Sequence, residues 1–112
     1  MKILNKNPYQ NVIDFIDAAV DSDDMMNWLI DLEKLPNNLR SDHLGRMKRQ
    51  MTENREPEKV IDIVRSINNP EILSAVNLVI KDVYQAGFRT KKYLKKCSNE
   101  NFNVLISLLV AT

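Results

Sequence analysis

The longest periodic stretch of the chain predicts a helix over about 70–86. Asn69 is a favourable N-cap residue, Pro70 falls at the first helical position, and Gly87 suits a left-handed residue after the last turn. At 100° per residue its apolar side chains cover about half of the helix, more than the roughly 100° stripe of an ordinary surface helix. They are Ile72, Leu73, Ala75, Val76, Val79, Ile80, Val83, Tyr84 and Ala86. We therefore expect this helix to be central, with Leu78 on its polar side.

Two helices are predicted at the front of the chain. The first begins after Asn7 and places Asp17 on its polar side. The second begins after Ser22, ends before Pro36, and has an apolar arc too broad for one neighbour. The inward side chains expected in the first are Tyr9, Val12, Ile13, Phe15, Ile16, Ala19 and Val20, and in the second Met25, Met26, Trp28, Leu29, Ile30, Leu32 and Leu35.

A third helix is predicted over about 38–53, and a fourth, short helix is opened by Pro57. Arg40 belongs to the outward side of the third helix, while His43 falls on its apolar side as an expected core-edge histidine with one hydrogen bond. The inward residues expected in the third are Leu39, His43, Leu44, Met47 and Met51, and in the fourth Val60, Ile61, Ile63, Val64 and Ile67.

The end of the chain predicts two more helices. Thr90 is the expected cap of a two-turn helix with Tyr93, Leu94 and Cys97 inward. The last helix starts at Ser98 or Asn99, and its apolar residues leave so little polar surface that we expect it to be covered on most sides. These residues are Phe102, Val104, Leu105, Ile106, Leu108, Leu109 and Val110.

The fold class that follows is all-α, a single compact domain over 1–112 with six or seven short helices around the central one. The 112 residues suffice for one hydrophobic core, and the short connections predict antiparallel or steeply crossed neighbours. A helical-hairpin or solenoid-like arrangement stays open, because the Asn-Pro pair at residue 7 recurs at residue 69. No fixed period joins the two pairs.

The composition favours a protein of the reducing cytosol. One cysteine excludes an internal disulfide, one histidine excludes a histidine-based metal cluster, and two glycines cannot build a phosphate-binding loop. The first ten residues lack the pattern of a secretory signal, and the apolar run over 104–111 is far shorter than the ~20 residues of a membrane helix. We expect a cytoplasmic protein without membrane association.

Charge is distributed unevenly along the chain. Residues 1–36 carry 3 Lys and 7 Asp or Glu, whereas residues 86–112 carry 5 Lys or Arg and 1 Glu. Two basic faces are expected, at 46–49 and at 89–96, and each could contact phosphates or an acidic protein. The candidate partner-binding residues are Arg46, Lys48, Arg49, Leu78, Arg89, Lys91, Lys92, Lys95 and Lys96.

Catalytic and metal-binding patterns are weak. A Cys97–His43 pair would need a contact in the fold, and Cys97 is better interpreted as a small buried hydrophobic residue. The acids Asp14, Asp17, Asp21, Asp23 and Asp24 lack EF-hand spacing and suit helix starts. We therefore predict no enzymatic activity, no cofactor and no metal.

Two functional hypotheses remain. The first is a protein-interaction module, such as an adaptor, regulator or inhibitor, whose partner has an acidic surface; a homo-oligomer through the C-terminal helix is a further possibility. The alternative is a protein that binds nucleic acid independently of sequence through its basic faces. A helix-turn-helix is excluded, since the central helix would present a single cation, Lys81, to DNA.

Overall fold

Seven α-helices make up the described part of the chain, residues 8–97 and 99–111 of the computed structural model, and no strand occurs there. None of these helices is long and apolar enough to cross a membrane. The all-α prediction is confirmed. The predicted cap at Asn7 and the predicted start at Ser98 lie outside the described residues, and the last helix begins at Glu100, one residue after the other predicted start, Asn99. The helices are α1 (Pro8–Val20), α2 (Asp23–Lys34), α3 (Asn37–Glu53), α4 (Glu58–Ser66), α5 (Pro70–Ala86), α6 (Thr90–Lys96) and α7 (Glu100–Ala111).

Both predicted ends of α5 are confirmed. The side-chain oxygen of Asn69 accepts the backbone N–H of Glu71 at 2.8 Å and that of Ile72 at 3.4 Å. Gly87 has φ 75°, and its N–H donates to the carbonyl of Val83 at 3.2 Å. Amide and carbonyl groups that the helix itself cannot pair are thereby satisfied at each end.

The core is organised around α5, which packs against α1, α2, α6 and α7. One cluster of buried side chains receives residues from all seven helices, so the described chain has a single core. Leu73 and Val83 are completely buried in it. The predicted inner side of α5 is confirmed except at its end, where Tyr84 is 56% exposed.

A carboxylate of α1 provides the cap of α6. Asp17 accepts the backbone N–H of Thr90 at 3.0 Å and its hydroxyl at 2.5 Å, and Thr90 is completely buried. Two predictions are corrected here. Asp17, expected on the polar side of α1, faces α6 instead. Thr90, expected to cap α6 with its own oxygen, donates hydrogen bonds to Asp17. The negative charge lies at the positive end of α6, where it is favourable.

Arg40 joins the ends of two helices. The residue is 2% exposed, and its guanidinium donates to the carbonyl of Leu35 at 3.0 Å and to that of Asn68 at 3.4 Å. A further bond runs to the side chain of Asn37. Leu35 ends α2 and Asn68 follows α4, so the cation lies near the negative ends of both helix dipoles.

The burial of Arg40 explains why one side of α3 differs from the prediction. Leu39, expected inward, is 50% exposed, because the neighbouring position is directed inward by the bonds of Arg40. Leu44 is buried as expected, and Met47 packs at the edge of the core. His43 is half-buried and accepts a hydrogen bond from the indole N–H of Trp28 at 3.2 Å, which confirms the expected core-edge role.

The C-terminal third departs from the prediction in two ways. Cys97 is exposed because α6 ends at this residue, whose backbone is extended. In α7, Phe102 and Leu105 are buried, but Val104 is 50% exposed and Val110 is exposed as well. The expectation that α7 is covered on most sides is therefore wrong, since α5 supplies most of its contacts.

Replacing Arg40 by Met should lower the free energy of unfolding by about 2–3 kcal/mol. The substitution keeps an apolar stem but removes the donors used by the carbonyls of Leu35 and Asn68, and hydrogen bonds to charged groups are among the stronger ones. Urea unfolding followed by circular dichroism measures this loss. Arg46→Met, at an exposed position of the same helix, should change stability by less than about 0.5 kcal/mol. Equal losses would contradict the role assigned to Arg40.

The Trp28–His43 hydrogen bond predicts a difference in fluorescence between the wild type and His43→Leu. The imidazole accepts from the indole N–H at 3.2 Å, and leucine has no acceptor to replace it. Because the chain has one Trp, the emission spectrum reports this indole alone. Loss of the hydrogen bond should shift the emission maximum, and identical spectra of the two proteins would contradict the assignment.

Candidate functional site

A groove between α2 and α5 is the strongest candidate for a functional site. It encloses about 340 Å³. α2 contributes Met26, Ile30 and Glu33, and α5 contributes Ser74, Asn77, Leu78, Ile80, Lys81 and Tyr84.

The two walls of the groove are held together by Asn77. Its side-chain amide donates to the backbone carbonyl of Leu29 at 3.1 Å and to the Glu33 carboxylate at 2.7 Å. Leu29 itself is completely buried. The two polar bonds of Asn77 therefore tie α5 to α2 at the level of the groove.

Large apolar side chains line the groove and remain open to solvent. Leu78 is 46% exposed, Ile30 is 45% exposed, and Tyr84 is more exposed than either. Met26 is half-buried beside them. Single exposed apolar residues are ordinary, but several around one concave surface are typical of binding sites. The predicted exposure of Leu78 is confirmed, whereas Ile30 and Tyr84 were expected inward and their presence here was missed.

The α2 wall of the groove is acidic. The four acids of α2 are all exposed and are opposed on that helix by one cation, Lys34. On the α5 wall Lys81 is the charged lining residue. The acids are Asp23, Asp24, Asp31 and Glu33. An occupant that carries positive charge on its α2 side would therefore be favoured.

A second cleft, between α1, α4, α5 and α7, is less suited to binding. It encloses about 160 Å³, and Phe15, Ile63 and Leu109 are among its lining residues. None of the strongly exposed large apolar side chains belongs to it. The cleft is an indentation over the core, with little apolar surface open to solvent.

The α6 helix carries the lysine face, which we define as Lys91, Lys92, Lys95 and Lys96. All four are exposed, and none forms an ion pair with a residue in the described ranges. The ammonium group of Lys92 lies 5.2 Å from the ring centroid of Phe88, a cation–π distance. The four positive charges therefore remain available to an external anionic surface.

The other predicted basic residues do not extend this face. Arg89 already pairs with Asp21 at 2.7 Å. On α3, Arg46 and Arg49 are exposed, but Lys48 is half-buried on another side of the helix. The basic face expected at 46–49 is thus reduced to two arginines, and α6 is the stronger cationic surface.

The fold does not bring together the two residues considered for catalysis. His43 lines a cleft with Trp28 and Arg46, whereas Cys97 lines a polar cleft that includes Asp82. The fold therefore does not form the Cys97–His43 pair considered from the sequence.

The polar cleft that includes Cys97 contains a hydrogen-bonded network between α5, α6 and α7. Asp82 accepts a hydrogen bond from the Asn101 amide at 2.7 Å and a longer one from the Tyr93 hydroxyl at 3.5 Å. Burial raises the pKa of Tyr93 above its ordinary value, and the Asp82 charge raises it further. The phenol therefore stays protonated and serves as a donor, which is a structural role.

The acids of the first helix and of the turn after it, Asp14, Asp17 and Asp21, have hydrogen-bond or ion-pair partners in the fold. Asp14 accepts from Gln10 at 2.7 Å, Asp17 caps α6, and Asp21 pairs with an arginine. Within the described ranges, no three His, Cys, Asp or Glu side chains lie close enough to hold a metal ion together.

Comparison with known proteins adds no functional assignment. No family model, curated protein or solved structure matches this chain. The candidate surfaces are therefore interpreted from their own chemistry, and the α2–α5 groove and the lysine face are the two that remain.

Proposed function

We propose that the protein is a protein-binding module, of the adaptor, regulator or inhibitor type, without catalytic chemistry of its own. Its docking surface is the α2–α5 groove, and its occupant is an amphipathic helix of another polypeptide. The observation that supports this proposal is the exposure of Ile30, Leu78 and Tyr84 around one groove with fixed walls. Apolar grooves between helices commonly receive helices in this way.

The length and spacing of the groove suit a helical occupant. Along α5 its lining residues extend from Ser74 to Tyr84, which corresponds to about 15 Å or nearly three helical turns. A helix with apolar residues at positions i, i+4 and i+7 presents a stripe about 10 Å long, which fits within this length.

The acidic α2 wall selects the charge of the occupant. A partner helix with Lys or Arg beside its apolar stripe would face the exposed acids of α2, and matching charge raises both specificity and association rate. The preferred occupant is therefore a basic amphipathic helix.

Leu78→Gln should weaken binding of such a helix about tenfold, since burial of a leucine contributes about 1.5–3 kcal/mol and tenfold corresponds to about 1.4 kcal/mol. The probe is a labelled synthetic peptide about four helical turns long, with Leu at helical spacing and Lys on its flanks. Fluorescence anisotropy gives its dissociation constant.

Leu39→Gln is the matched control for this experiment. It removes a leucine of similar exposure from α3, outside the groove, and should bind the peptide like the wild type. A Glu-flanked peptide of the same apolar pattern should bind more weakly. Equal affinity of the two variants, or no binding of either peptide to the wild type, would contradict the proposal.

A second candidate function is sequence-independent binding of nucleic acid through the lysine face. The observation that favours it is that four exposed lysines lie on one short helix without ion-pair partners in the described chain. Like charges at these spacings repel by a few tenths of a kcal/mol per pair, so an external anion would be favourable. We rank it second because it uses none of the exposed apolar surface.

Replacement of all four lysines of the lysine face by Ala tests this alternative. We expect the variant to fold normally and to bind duplex DNA or RNA no worse than the wild type at physiological salt. Titrations at several salt concentrations measure the affinity and its salt dependence. If the wild type binds tightly and the variant shows a slope reduced by about one unit per lost phosphate contact, nucleic-acid binding becomes the better proposal.

A further inference from the structure

We propose that the helix received by the α2–α5 groove is α7 of a second copy of this protein, so that copies associate head to tail. This inference rests on the proposed function, since it requires that the groove accept a helix. Such an interface is heterologous: one copy contributes the groove and the other contributes its C-terminal helix.

The outer surface of α7 has the required apolar stripe. Val104 is 50% exposed, Leu108 is half-buried, and Ala111 is exposed. These positions are related as i, i+4 and i+7, so they lie in one row along the helix. The 12 residues of α7 extend about 18 Å, enough to span the groove.

The basic helix that precedes α7 complements the acidic wall of the groove, whereas α7 itself carries the acid Glu100 and no cation. The lysine face of α6 ends at Lys96, four positions before α7 begins, and it has no ion-pair partner among the described residues. The groove is bounded by α2, which exposes four acids. Docking of α7 into the groove brings an unpaired basic helix of one copy towards the acidic wall of the other. The acidic partner expected for the lysine face is then another copy.

Sedimentation velocity of the full chain tests this inference. The weight-average mass of the wild type should rise above 13.0 kDa with concentration, and high salt should reduce the rise. Leu78→Gln damages the groove and Val104→Gln damages the stripe, so each variant alone should associate about tenfold more weakly. Leu39→Gln on α3 and Val110→Gln on another side of α7 should behave like the wild type.

A mixture of the two damaged variants gives the decisive measurement. The Leu78→Gln variant keeps an intact α7, and the Val104→Gln variant keeps an intact groove. An equimolar mixture should therefore form a pair of about twice the monomer mass and grow no further. If Val104→Gln weakened association while Leu78→Gln did not, and the mixture formed no pair, the contact would be a symmetric one between two α7 helices. This result would overturn the inference.

The inference and the proposed function can fail separately. A wild type that stays monomeric, yet binds the Lys-flanked peptide through Leu78, would overturn self-association and leave the groove as a site for another protein. Association that does not respond to salt would overturn the pairing of the lysine face with the acids of α2.

Discussion

The burial of one side of α5 is the constraint on which the rest of the structure depends. Four helices, α1, α2, α6 and α7, pack against it, while α3 packs mainly on α4. Together these neighbours bury the apolar side of α5 from Ile72 to Val83. The strip that contains Leu78 and Tyr84 is what remains uncovered beside α2. The groove is therefore a direct consequence of how the core is filled.

Polar side chains fix the positions of the helices relative to one another, which apolar packing alone does not determine. Arg40 bonds to carbonyls at the ends of α2 and α4, Asp17 caps α6 from α1, and Asn77 holds α2 against α5. The bond of Arg40 to the Leu35 carbonyl and the bond of Asp17 to the Thr90 N–H pair backbone groups at helix ends, which a helix cannot pair internally. The bonds of Asp17, of Asn77 and of Arg40 to Asn68 join residues at least 28 positions apart, and the bonds of Asn77 link the two walls of the groove.

The features that sequence could predict depend on neighbouring residues alone. The caps at Ser22 and Asn69 and the left-handed Gly87 follow from local chemistry, and the structure has all three. Arg40 could not be placed inward, because the carbonyls that it binds come from other helices. Cys97 was expected inward from the periodicity of α6, but that periodicity stops at the residue where the helix ends.

The remaining differences between prediction and structure are all of one kind: apolar residues expected to be buried are exposed. This bears on function. Ile30, Tyr84 and Val104 belong to arcs wider than one neighbour can cover, and each was expected to be buried, yet each is exposed. The width of the apolar arc of a helix shows how much apolar contact the helix can make in total. That contact can be with other parts of the chain or with another molecule. Where the fold supplies fewer neighbours than the arc can accept, the excess is surface that another molecule can cover. Two of these residues lie in the α2–α5 groove and the third lies on α7, so these three residues expose apolar surface at one concave site and on one convex helix.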